Sequence, residues 1–74
     1  MRSWLFQIWS LSEIQDRLAF AQIPAHLASI TDTKVSMDRP EFKVVIRDAA
    51  AAVKFDQLLH DPNFTQGRAM PVPI

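Results

Sequence analysis

Seventy-four residues make one small domain, and a chain this short buries only about 60% of its unfolded surface, so its stability is marginal. Eight basic residues balance eight acidic ones, which argues against a dedicated nucleic-acid binder and against electrostatic attachment to anionic membranes. The chain has no cysteine, so disulfides are excluded, and two histidines without thiolates offer little to a structural metal.

The first segment, Met1-Arg2-Ser3-Trp4-Leu5-Phe6-Gln7-Ile8-Trp9, begins like a secretory leader. Gln7 interrupts the apolar run, Glu13 follows soon after, and no small-residue cleavage site is present. No window approaches the roughly 18 apolar residues that span a bilayer. The expectation is a cytoplasmic protein whose first segment is a strand. Its alternation places Trp4, Phe6 and Ile8 on the core face and Leu5, Gln7 and Trp9 on the other, which leaves Trp9 displayed.

Ser10 with Glu13 three residues later forms a capping box for a helix. Leu11, Ile14, Leu18 and Ala21 recur at helical spacing as its apolar stripe. Phe20 lies about 200° from Leu18 on the helical wheel, so it is either tucked under the helix end or exposed. Pro24 disfavours helical geometry at Ile23, and the helix is expected to end near Gln22.

A second strand is expected somewhere within residues 25–37, where Leu27, Ile30, Val35 and Met37 are apolar and Thr31-Asp32-Thr33 has turn character. Asp38-Arg39-Pro40 reads as the turn into a third strand. In that strand Phe42, Val44 and Ile46 face inward, while Lys43, Val45 and Arg47 form an outward row. The period then switches from two to helical at Asp48, a suitable N-cap. Ala51, Ala52, Phe55, Leu58 and Leu59 define the apolar face of the helix that follows. Pro62 marks its end, with Asp61 pushed out of helical geometry. In the remaining tail Met70, Val72 and Ile74 alternate with prolines, which rules out a helix and a central strand but allows an extended arm or an edge strand.

The order strand, helix, strand, strand, helix, with or without a final edge strand, predicts an α+β two-layer sandwich. It has a ferredoxin-like antiparallel sheet with two helices on one face. Residues 1–62 form the domain and residues 63–74 the tail or edge strand.

The helix running into Ala21-Gln22-Ile23-Pro24-Ala25, and the strand Val44-Val45-Ile46-Arg47-Asp48 leading into Ala49 to Leu59, together resemble the family of short prokaryotic signal-transducing proteins. Those are βαββα chains related in fold to the nitrogen-regulatory PII proteins. The likeness covers roughly residues 4–60 and implies a fold and a regulatory role, with no catalytic residue. The family usually has a glycine where this chain has Gln22.

The polar residues do not assemble into chemistry. Ser3, Ser10, Ser12, Ser29 and Ser36 sit in no glycine-flanked elbow, and His60 at a helix end is favoured there by the helix dipole alone. No carboxylate pair has dyad or metal-loop spacing, and one glycine cannot build a phosphate cradle. The expectation is therefore a protein that is not an enzyme and uses no cofactor. Trp4, Phe6 and Phe42 with Lys43 and Arg47 raise the alternative of nucleic-acid contact through the sheet, but the first three belong to the core faces.

Large apolar residues without an obvious interior place favour protein binding instead: Trp9, Phe20, Val45, Val53, Phe64 and the Met70-Val72-Ile74 tail. The candidate partner-binding residues are Trp9, Phe20, Lys43, Val45, Arg47, Met70, Val72 and Ile74. The expected function is regulatory or inhibitory binding of a protein partner, a second copy included, as in compact inhibitors encoded by phages and mobile elements. The opposing reading is that the tail folds back over the open sheet face and buries Trp9 and Val45.

Overall fold

Strand alternation, two capping aspartates and one serine cap explain most of the architecture. The computed structural model describes residues 1–29 and 41–74. In chain order the elements are β1 (Arg2–Gln7), α1 (Leu11–Ala21), β2 (His26–Ser29), β3 (Glu41–Ile46), α2 (Ala49–Leu59), a short α3 (Pro62–Thr65) and β4 (Val72–Pro73). The turn expected at Asp38-Arg39-Pro40, and Ile30, Val35 and Met37 of the expected second strand, lie outside the described residues.

The sheet is four-stranded and antiparallel in the order β2-β3-β1-β4. This is the split βαβ arrangement expected of a ferredoxin-like α+β sandwich. The register is continuous from Arg2↔Ile46 to Gln7↔Glu41, and from His26↔Val45 to Ser29↔Phe42. Trp4, Phe6, Val44 and Ile46 are buried on the face that meets the helices, as the alternation requires. Ile14, Leu18 and Ala21 of α1 and Ala52, Phe55 and Leu59 of α2 pack against them in the core. Leu11, placed in the helical stripe from sequence, instead remains exposed in the first turn of α1.

Each helix starts where its cap residue lies. The Ser10 hydroxyl accepts from the Glu13 amide at 3.1 Å and the Glu13 carboxylate accepts from the Ser10 amide at 3.4 Å, completing the capping box. Asp48 accepts from the Ala51 amide at 3.1 Å and caps α2. Pro62 does not simply terminate α2, which already ends at Leu59. It begins α3, with Asp61 extended and capping it through the Asn63 amide at 2.9 Å. Phe64, which the sequence left without an interior place, is carried by this turn into the core against the edge of Phe55, with ring centroids 6.3 Å apart.

The C-terminus of α1 closes as a Schellman motif. The Ile23 amide donates to the Leu18 carbonyl at 3.0 Å and the Gln22 amide to the Ala19 carbonyl at 3.1 Å, while Leu18 and Ile23 are both buried. Gln22 holds the left-handed conformation at φ 56° that glycine adopts without strain. Lys54 of α2 donates to the Ala21 carbonyl at 2.8 Å, satisfying one more terminal acceptor.

Two sequence expectations fail together at the end of β1. Ile8 takes φ 72°, a conformation unusual for a β-branched residue, and the strand's alternation breaks there. Ile8 therefore points outward and is 64% exposed, although the alternation places it inward. Trp9, expected on display, turns into the core and is 2% exposed, its ring edge-on to Phe6 at 5.1 Å between centroids. The tail covers it: the indole Nε1–H donates to the Ala69 carbonyl at 2.7 Å. Arg68 and Glu13 pair at 2.7 Å beside this contact.

The left-handed residues give a stability prediction. Ile8→Gly and Gln22→Gly are each expected to stabilise the fold by about 0.5–1 kcal/mol, because relief of left-handed strain outweighs the entropy glycine adds to the unfolded chain. Thermal melts followed by circular dichroism check this. A fall in melting temperature for both variants would show that the side chains contribute more than the backbone strain costs.

Candidate functional site

The helices cover one face of the sheet, and the register defines what stands on the other. Ala28, Lys43, Leu5 and Val72 lie opposite one another in a row across β2, β3, β1 and β4. Beside that row, His26, Val45 and Ser3 form a second, and the Ile74 amide extends it by donating to the Ser3 carbonyl at 3.0 Å. Facing residues on neighbouring strands are about 5 Å apart, so Leu5, Val45, Val72 and Ile74 make one apolar strip with Lys43 set into it. Val72 and Ile74 are 48% and 69% exposed, while Leu5, Lys43 and Val45 are half-buried by their neighbours. Arg47 continues the outward row of β3 and is exposed.

Among the described residues, cations are engaged unevenly between the two layers. Cations on the helical side are engaged: Arg2 with Asp56 at 3.4 Å, Arg17 with Asp16, Arg68 with Glu13, and Lys54 with the Ala21 carbonyl. Arg2 also stands over the Trp4 ring at 4.9 Å. Among the described residues, Lys43 and Arg47 on the outer sheet face have no such partner. Among the described residues the face thus carries an apolar strip with two cations, Lys43 and Arg47, and with the Glu41 carboxylate at the start of the same outward row of β3.

At one end of the face, Val45 and Arg47 join Pro24, Ala25, His26 and Asp48 around an open cleft of about 300 Å³. Its Asp48 carboxylate is committed to the first turn of α2. His26 and Ser3 share a row but stand on either side of Val45, two strand spacings or about 10 Å apart. That is too far for the imidazole to accept a proton from the hydroxyl. His60 caps the far end of α2. Among the described residues no three His, Asp or Glu side chains stand together as a metal site would need.

The structure gathers Lys43, Val45, Arg47, Val72 and Ile74 of the sequence-derived candidates onto this one face. Met70 is exposed in the connection just before β4. Phe20 belongs to the opposite, helical side, where it is 76% exposed with the Arg17 guanidinium 5.6 Å from its ring centroid. It borders a separate groove of about 410 Å³ with Arg17, Leu58, Asp61 and Phe64. Trp9 leaves the set altogether, being core. Leu5, His26 and Ala28 were missing from the sequence-derived set. Leu5 carried a signal, since it has the parity of Gln7 rather than of the inward Phe6. His26 and Ala28 needed the register of β2, which no sequence feature supplies.

In comparisons with family models, with curated proteins and with solved structures, no match was found.

Proposed function

We propose that this protein is a non-enzymatic binding module whose working surface is the outer face of its sheet. Its partner is a protein presenting an apolar surface bordered by carboxylates. One observation carries the reading: Lys43 and Arg47, without a partner among the described residues, flank Val45 within the apolar strip of Leu5, Val72 and Ile74. A mixed surface of this kind matches the apolar centre and polar rim of protein interfaces. A module that only binds acts by occupying its partner's surface, so its role is regulatory or inhibitory.

Nucleic acid is the competing ligand, and the outer face offers it little. Single-stranded nucleic acid is held on such sheets by exposed aromatic rings. Here Trp4, Phe6, Trp9, Phe55 and Phe64 are buried and Phe42 packs against the core.

Affinity capture on the immobilised protein from extract of the source organism, with and without nuclease, tests this reading. The expected result is a protein retained after nuclease treatment at high salt. Retention of nucleic acid instead, with an affinity that falls about tenfold between about 50 and 200 mM salt as two phosphate contacts require, would contradict it.

A further inference from the structure

The two edges of the sheet are chemically unequal. Backbone groups in an antiparallel sheet alternate in direction along each strand, so one fixed hydrogen bond sets the direction of the rest. The Ile74 amide donates inward to Ser3, which makes Ile74 and Val72 the inward-pointing residues of β4. The outward-pointing positions are then Pro71 and Pro73, and proline has no N–H to offer. The β4 edge therefore displays no donor and is closed to further strands, a recognised protection of sheet edges.

The same alternation carried across the sheet gives a different result at β2. With Ser3 and Leu5 directed to β4, Trp4 and Phe6 are directed to β3, so Val45 and Lys43 are directed to β2. His26 and Ala28 receive those bonds, which leaves the amides and carbonyls of Leu27 and Ser29 pointing away from the sheet. No described strand pairs with them. The strand, His-Leu-Ala-Ser, has neither lysine, carboxylate nor proline to discourage pairing.

We propose that β2 pairs antiparallel with β2 of a second copy, joining two sheets across a two-fold axis at Ala28. Leu27 of each copy then exchanges bonds with Ser29 of the other, about four backbone hydrogen bonds in all. The two Ala28 residues face each other at the non-hydrogen-bonded position, where strands approach most closely, and their side chains are small and exposed. A second copy fits better than a flexible peptide because four residues give few bonds, too few to offset ordering a free chain. The partner β2 is already ordered by its own sheet. The zero net charge adds no repulsion between copies. This pairing uses the sheet edge and does not rest on the function proposed for the outer face.

Cross-linking through a single introduced thiol tests it, because the chain has no cysteine of its own. Facing residues at such a pair have Cα atoms about 4.5 Å apart, within the range a disulfide spans. Ala28→Cys is compared under mild oxidation with Val53→Cys, at an exposed position on α2. Ala28→Cys is expected to form a covalent dimer at least about tenfold faster, since pairing raises the local thiol concentration. Sedimentation of the unmodified 8.4 kDa chain at high micromolar concentration is expected to give twice that mass. Equal cross-linking rates at the two positions, or a strictly monomeric mass, would overturn the proposal.

Discussion

Replacing Phe55 with alanine is expected to leave most molecules unfolded at 25 °C. Phe55 is the node at which the two layers meet: its ring is edge-on to Trp4 at 5.0 Å, tilted against Phe6 at 5.9 Å and edge-on to Phe64 at 6.3 Å. It is 1% exposed, so truncation leaves a cavity walled by three other rings that cannot all move inward. Phe→Ala changes in cores cost about 3–5 kcal/mol. Domains of this size have only about 4–11 kcal/mol of stability, and small cores lie at the low end. Chemical denaturation checks the result. A loss under about 1 kcal/mol would mean the core does not close around this ring.

The second expectation concerns two residues that look equivalent in sequence and are not. Trp9→Glu is expected to abolish folding, whereas Val45→Glu is expected to alter stability by no more than about 1 kcal/mol. Trp9 is enclosed, touches Phe6 and spends its indole N–H on Ala69, so a glutamate there removes the core ring, buries a charge and frees the tail from its anchor. Val45 is half-buried on the outer face beside Lys43 and Arg47, where a carboxylate gains opposite charges and keeps its water. Circular dichroism and thermal melts separate the two outcomes. Native-like melting of Trp9→Glu would contradict the buried indole.

The fold was largely legible because its signals are local. The Ser10 and Asp48 caps, the inward set Phe42, Val44 and Ile46, and the helix end near Gln22 ahead of Pro24 all depend on residues within a turn of one another. The candidate face was legible in part for the same reason, since alternation alone puts Lys43, Val45 and Arg47 on one side of β3. What failed depended on a single backbone angle. Nothing in the residue type of Ile8 announces φ 72°, because β-branched side chains disfavour it, yet that angle exchanges the destinations of Ile8 and Trp9. Phe64 was misplaced for a related reason: Pro62 reads as a helix stop, and the same proline at the first position of α3 starts one. Phe20, left by the sequence as either tucked under the helix end or exposed, is exposed on the helical side, apart from the sheet candidates. Exposure can be inferred from a helical wheel, but the side of the molecule cannot.

Isothermal calorimetry on the captured partner, comparing unmodified protein with Val45→Glu and Phe20→Glu, tests the central claim most directly. Both substitutions stand at positions that tolerate charge, one on each side of the molecule. The outer sheet face as working surface predicts that Val45→Glu weakens binding at least about thirtyfold, as expected for a central interface residue, while Phe20→Glu stays within about twofold. Loss of binding in Phe20→Glu with full affinity in Val45→Glu would move the working surface to the helical side and contradict the claim.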